Sequence, residues 1–195
     1  GVSSMDTWQV IRTAGSPFTP DWGTSYSDGG ASKWLTGYDK YYNAMKNRIV
    51  EMYAIPTNTA DGIKTLKHWI ANHCSDDPQG GLATFYCTYQ GTNGTLPAGT
   101  PNGGMAVMTT FSSYVNHSQT IVGYNDSIRY DYNGDGQYTN HIDINNDGVV
   151  NVKDWEIGGV IFCNSFGTGW GNGGFAFLPY KKLAETHTEN GGIWN

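Results

Sequence analysis

The spacing of apolar residues predicts three helices in the first part of the chain. A first helix is expected over residues 5–13, between a capping Ser4 and a terminating Gly15. Apolar side chains at steps of three and four predict a second helix that ends before a proline: Tyr38, Tyr41, Tyr42, Met45, Ile49 and Met52. A third helix is expected over residues 59–73, with its inner side formed by Ile63, Leu66, Trp69, Ile70 and His73.

Residues typical of strands replace this pattern after Gly80 and Gly81. The predicted strands cover residues 82–89, 105–111, 117–124, 159–163 and 174–180. Stretches rich in Gly, Pro, Ser and Thr predict loops over residues 14–33 and 90–104. A helical part followed by a strand-rich part indicates an α+β fold, with a helical lobe before a twisted sheet or barrel. The length of 195 residues suits one domain that spans residues 1–195.

Composition narrows the class of partner. The chain is 38% hydrophobic and only 14% charged, which is typical of a globular domain with many loops. A net charge of -6 argues against a nucleic-acid partner, because such a partner requires a basic face. No run of eighteen apolar residues is present, so no membrane span is predicted. Three cysteines without a CxxC motif argue against a zinc ribbon and allow at most one disulfide within the chain.

Two acidic loops rich in Asn and Gly occupy residues 128–157. A Ca²⁺ loop needs hard oxygen ligands at alternating positions, a glycine for the sharp turn and a closing carboxylate. In the second loop Gly148 is the turn residue, and positions 1, 3, 5, 7, 9 and 12 are Asp143, Asn145, Asp147, the Val149 carbonyl, Asn151 and Asp154. Asp at position 12 resembles the dockerin variety of EF-hand loop. The pattern predicts a bound Ca²⁺, and the alternative is a surface turn without metal.

The first loop follows the same pattern less completely. Gly136 is its turn residue, and positions 1, 3, 5, 7 and 9 are Asp131, Asn133, Asp135, the Gln137 carbonyl and Thr139. Ile142 at position 12 has no oxygen to close the site, whereas Asp143 could do so and would then be shared by two ions. A strained turn that only presents Asp143 is the alternative. A structural role is favoured, because these residues have few large apolar side chains and a metal can supply folding free energy.

Two motifs flank these loops. His117 opens the segment His-Ser-Gln-Thr-Ile-Val-Gly-Tyr, and Asn164 opens the segment Asn-Ser-Phe-Gly-Thr-Gly-Trp-Gly. Together they resemble the two C-terminal signatures of the papain-like cysteine peptidases. The resemblance implies a partial papain-like fold that begins beyond the family's nucleophile helix. It also implies that residues 128–157 are a calcium-binding insertion between the His strand and the Asn strand.

The resemblance implies roles for five residues. His117 would be the general base, and Asn164 would accept a hydrogen bond from its ring and fix its orientation. Phe166 stands where the family usually has Trp and would shield that hydrogen bond from water. Trp170 would pack beside the cleft, and Asn116 would line it. Substrates would be peptides or proteins.

The family's nucleophile segment has no counterpart in this sequence. Cys74, Cys87 and Cys163 are each expected to be structural or free thiols. The chain is therefore interpreted as the C-terminal portion of a calcium-stabilised peptidase, inactive without a missing N-terminal part of the same protein. Calcium loops indicate an extracellular or periplasmic location. The alternatives are a non-catalytic binding or inhibitory module with a peptidase-like fold, and a calcium-dependent assembly or adhesion module.

Overall fold

The chain is a mixed α+β protein that divides into two compact units, Gly1–Ala54 and Ile55–Asn195. The structure is a computed structural model, and it describes residues 4–22, 36–76, 78–88, 91–186, 188–189 and 192–193. None of the helices in these ranges has both the length and the apolar character that a membrane crossing requires.

The first unit contains three helices among its described residues. Helix α1 covers Ser4–Ala14, which confirms the predicted first helix, and its last turn is closed by a 2.9 Å hydrogen bond from the Gly15 N–H to the Ile11 carbonyl. A short helix α2, Thr19–Trp22, lies within residues 14–33, which were predicted to be a loop. Residues 23–33 of that prediction fall outside the described residues.

The second predicted helix is shorter than its apolar spacing indicates. Helix α3 covers Tyr38–Met45, and residues 48–56 form no regular structure. The side chains predicted to share an inner face are mostly exposed, among them Tyr38, Tyr41, Tyr42, Met45 and Met52. Ile49 and Val50 are β-branched and favour extended backbone, so the regular spacing there does not continue the helix.

The third predicted helix is confirmed as α4, Ala60–Asn72, and it belongs to the second unit. The Thr59 hydroxyl accepts a hydrogen bond from the Gly62 N–H at 3.0 Å and caps the first turn, and His73 ends the helix with a left-handed backbone. Its predicted inner residues Ile63, Leu66 and Ile70 are buried in the core. The helix thus packs with the sheet and is not part of a separate helical lobe.

Six strands form one mixed sheet in the second unit, in the spatial order β1-β4-β5-β6-β3-β2. Their bounds are Ala83–Cys87, Gly91–Thr95, Ala106–Phe111, His117–Arg129, Ile157–Cys163 and Phe175–Pro179, for β1 to β6 in chain order. All pairings are antiparallel except that of β3 with β6. Strand β2 lies in a predicted loop, because pairing with β3 overrides the weak strand preference of Gly-Thr-Asn-Gly-Thr. Helix α5, Tyr180–Ala184, was not predicted and follows β6 directly.

The hairpin of β4 and β5 separates the two predicted functional regions. Because these strands are antiparallel, Thr120 pairs with Cys163 at one end and Arg129 pairs with Ile157 at the other. His117 and the loop that follows β5 therefore lie at the first end, and the acidic loops leave from the second. Strand β4 has 13 residues, so the two ends are about 40 Å apart along the strand.

Candidate functional site

The two residues of the candidate catalytic pair meet at one end of the β4–β5 hairpin. The Oδ1 atom of Asn164 lies 2.9 Å from Nε2 of His117 and also accepts a 2.8 Å hydrogen bond from the Ser165 N–H. Asn164 is only 7% exposed, and its own N–H donates to the Gly174 carbonyl at 3.0 Å. The structure therefore brings the two predicted residues within hydrogen-bond reach and holds the carboxamide in a defined orientation.

The hydrogen bonds fix which nitrogen of His117 carries the proton. The Ser165 N–H can only donate, so the Asn164 atom that it contacts is the carbonyl oxygen. That oxygen can only accept, so Nε2 of His117 is the donor, and Nδ1 of the neutral ring carries the lone pair. No described residue forms a hydrogen bond with Nδ1. The ring is thus arranged to accept a proton at Nδ1.

The aromatic ring of Phe166 lies against the imidazole of His117. The rings of His117 and Phe166 are stacked, with centroids 5.3 Å apart and an interplanar angle of 14°. Phe166 is 43% exposed, so one part of its ring borders solvent while another part contacts His117. Trp170 meets Phe166 edge to face at 6.4 Å and also packs against the buried Phe162. Trp170 thus joins the Phe166 ring to the core.

The loop after β5 depends on close backbone approaches. A Cβ atom at Gly171 would lie 2.4 Å from the Phe175 carbonyl oxygen, and its φ of +56° is unfavourable for most side chains. The Asn172 side chain binds both backbone groups of Ala106, through Oδ1 at 2.8 Å and Nδ2 at 3.2 Å. This clamp ties the loop to the start of β3 and supports the position of Asn164.

Asn116, predicted to line the cleft, is exposed and directly precedes His117. Its N–H donates to the Cys87 carbonyl at 3.1 Å, which extends the pairing of β1 with β4 by one residue. Asn116 is thus held beside His117 by its backbone.

None of the three cysteines is arranged as a nucleophile for His117, and none forms a disulfide. Cys87 lies opposite His117 in the strand pairing, but it is fully buried and its thiol donates to Gln119 Oε1 at 3.3 Å. Burial raises the pKa of the Cys87 thiol to about 12, which is the reverse of what a thiolate requires. Cys74 follows α4, and the Cys163 thiol points to the Asn164 carbonyl.

The second acidic loop is folded as a closed turn. Both carboxylate oxygens of Asp143 accept backbone N–H groups of the same loop, including that of Gly148 at 2.8 Å. Gly148 has a φ of +88°, which suits the sharp turn expected at position 6. Asp154 is completely buried, and it accepts the N–H groups of Ile144 at 3.1 Å and Asn151 at 2.9 Å. The predicted closing carboxylate therefore contacts positions 2 and 9 of its loop.

The first acidic loop has a similar turn, and a carboxylate from beyond the second loop contacts it. Asp131 accepts the N–H groups of Gly134 and Gly136; the second of these contacts is equivalent to the one between Asp143 and Gly148 in the second loop. The buried Glu156 accepts the N–H of Tyr132 at 2.9 Å and that of Thr139 at 3.1 Å. The sequence offered Asp143 as a residue that could close this loop, and it did not point to Glu156, because that residue lies beyond the second loop.

Most of the other predicted ligand oxygens form hydrogen bonds within their own loop. Side chains of Asn133, Asp135, Asn145 and Asp147 accept N–H groups two residues onward, and the Val149 carbonyl accepts from the Asn151 side chain. Over the described residues, no three His, Cys, Asp or Glu side chains form a metal-binding group. A cation here would therefore also depend on Asn and carbonyl oxygens. The buried Thr139 hydroxyl at position 9 has no hydrogen-bond partner, which leaves an oxygen available to a cation.

Comparisons with known proteins add no evidence on function. No protein family, no curated protein and no solved structure matches the chain.

Proposed function

We propose that this chain carries the His-Asn half of a cysteine peptidase site and that its acidic loops bind Ca²⁺ for stability. The observation that carries the proposal is the 2.9 Å contact between His117 Nε2 and Asn164 Oδ1. It orients the imidazole and leaves Nδ1 as the base, and the stacked Phe166 ring restricts water around the contact. These are the requirements for a histidine that activates a thiol.

The nucleophile is assigned to a cysteine outside these 195 residues. Cys87 is the cysteine paired with His117 across the strands, and its burial and raised pKa oppose thiolate formation. A thiol that approaches Nδ1 from the solvent side would meet no such penalty, because the resulting thiolate and imidazolium stabilise each other.

The reaction assigned to the site is peptide-bond hydrolysis in two steps. The cysteine thiol transfers its proton to His117 Nδ1, the thiolate attacks the peptide carbonyl carbon, and the C–N bond breaks as Nδ1–H protonates the leaving amine. In the second step Nδ1 accepts a proton from water, which attacks the thioester and releases the carboxylic acid and the thiol. Asn164 keeps Nε2–H bound throughout and limits rotation of the ring.

Calcium is assigned a structural role because the loops lie at the opposite end of the β4–β5 hairpin from His117. The second loop would bind its ion through the oxygens of Asp143, Asn145, Asp147, Val149, Asn151 and Asp154. The first would use those of Asp131, Asn133, Asp135, Gln137 and Thr139. Loops of this kind suit the calcium concentrations outside the cytoplasm, so an extracellular or periplasmic location is part of the proposal.

A peptide-hydrolysis assay with two proteins tests the catalytic proposal. The full-length product of the gene that encodes this chain is expected to hydrolyse a fluorogenic peptide library and to lose that activity on treatment with iodoacetamide. Residues 1–195 alone are expected to show no hydrolysis. Activity from residues 1–195 alone, or full-length activity that iodoacetamide leaves intact, would contradict the proposal. Peptide binding without hydrolysis by the full-length protein would also contradict it and would favour a binding module.

A further inference from the structure

The two acidic loops are closed by carboxylates that make equivalent contacts. Asp154 accepts backbone N–H groups at positions 2 and 9 of the second loop, and Glu156 accepts them at positions 2 and 9 of the first. Asp154 belongs to its own loop, whereas Glu156 reaches the first loop from beyond the end of the second. Ile142, which occupies position 12 of the first loop, is instead 45% exposed.

The backbone holds Glu156 against the first loop. The Glu156 N–H donates to the Thr139 carbonyl at 3.0 Å, and the Tyr130 N–H donates to the Glu156 carbonyl at 2.9 Å. Next to it, Ile157 exchanges two hydrogen bonds with the Asn140 side chain, at 2.9 and 3.1 Å. Four hydrogen bonds join residues 130–140 to Glu156 and Ile157, and the Glu156 side chain accepts two more, so moving Glu156 from this place would break all six.

Among the described residues, Glu156 has no cationic partner for its charge. Glu156 is 2% exposed, and no described Lys, Arg or His nitrogen lies within 4 Å of its carboxylate. The buried ammonium groups of Lys181 and Lys182 both pair with Glu185 instead. A buried carboxylate without a countercharge is costly, and a bound cation would supply that charge. The Thr139 hydroxyl oxygen is buried in the same loop and has no hydrogen-bond partner among the described residues, so it is a second oxygen that a cation would satisfy.

We propose that Glu156 is the closing carboxylate of the first loop and that Ca²⁺ draws it together with Asp131, Asn133, Asp135 and Thr139; over the described residues these carboxylates form no group of three before the ion binds. This inference rests on the proposed calcium binding and adds the ligand that the local sequence of the first loop lacks. The ion of the first loop then requires residues from both sides of the second loop, so the two loops form one calcium-binding unit. Asp143 accepts N–H groups of its own loop, and the proposal assigns it to the second ion.

Counting bound ions by equilibrium dialysis with Ca²⁺ tests the assignment. The wild-type chain is expected to bind two ions. Glu156→Gln is expected to lower the Ca²⁺ affinity of the first loop by about 100-fold or more. Asp131→Asn removes a different ligand of that loop and is expected to lose the same ion. Adding Ile142→Glu to Glu156→Gln places a carboxylate at position 12 and is expected to restore the second ion. Glu189→Gln is the matched control, because Glu189 lies on the surface beside Lys153 and should retain both ions.

The outcomes separate this inference from calcium binding as such. A wild-type chain that binds no Ca²⁺ would refute the proposed calcium role. Two ions at unchanged affinity in Glu156→Gln would refute only the assignment of Glu156. An NMR titration of the wild-type chain with Ca²⁺ tests the assignment even if the variants fail to fold. The side-chain carboxyl ¹³C resonance of Glu156 should shift as Ca²⁺ binds to the first loop, while that of Glu185 should not. A Glu156 resonance that stays constant through saturation would overturn the assignment.

Discussion

Replacement of His117 with alanine is expected to lower kcat for peptide hydrolysis by the full-length protein by at least about 10³-fold. In the proposed reaction the imidazole accepts the thiol proton and later protonates the leaving amine, and no other described side chain forms this contact with Asn164. KM should change much less, because the ring contributes to the transition state more than to substrate binding. Steady-state kinetics with a fluorogenic peptide measures both constants.

Two further variants separate the chemistry from general damage. His68→Ala removes an exposed histidine on α4 and is expected to leave kcat unchanged. Asn164→Ala keeps the base but removes the acceptor for Nε2–H, so it is expected to lower kcat by less than His117→Ala. A His117→Ala protein that folds normally and retains most of its kcat would contradict the assigned role of the imidazole.

Chelation of calcium is expected to lower the Tm of the chain by about 5–10 °C for each site that is saturated about 100-fold above its Kd. Binding at that level stabilises the folded state by about 2.7 kcal/mol per ion. For a protein of this size, 1 kcal/mol corresponds to about 2–4 °C. The effect arises because residues 128–157 contain few buried apolar side chains and depend on polar contacts for their order. Thermal unfolding followed by circular dichroism, in EGTA and in millimolar Ca²⁺, measures the difference.

A charge-matched pair of variants tests the cause of that shift. Asp147→Asn removes a second-loop ligand and is expected to lose most of the calcium-dependent part of the second-loop stabilisation. Asp61→Asn makes the same charge change at an exposed position of α4. This variant should retain the full difference in Tm between EGTA and Ca²⁺. Equal Tm values in EGTA and Ca²⁺ for the wild-type chain would show that the loops fold without an ion.

The sequence predicted the elements whose signals are local. Helix α4 was predicted from its apolar stripe, and Ile63, Leu66 and Ile70 of that stripe are buried in the core. The apolar spacing after Tyr38 was misleading, because spacing alone does not decide whether a face will be covered. Strand β2 could not be predicted from its own residues, since only its pairing with β3 makes it a strand.

The candidate site divides in the same way. His117 and Asn164 were predicted from two motifs 47 residues apart, and the register of β4 and β5 brings them together. Glu156 was missed because its partners lie in another loop, and its contacts appear only when the chain returns to Tyr132 and Thr139. The burial of Cys87 could not be predicted from the sequence, because an apolar strand does not show which face of the sheet its cysteine lies on.

Mapping the alkylated cysteine tests the central claim most directly. The full-length protein is treated with a peptidyl chloromethyl ketone, which places an alkylating carbon where the scissile bond would lie, and the modified peptide is identified by mass spectrometry. Rapid modification of a single cysteine outside residues 1–195, slowed strongly in His117→Ala but not in His68→Ala, is the predicted result. Modification of Cys74, Cys87 or Cys163, or a rate that does not depend on His117, would contradict the account.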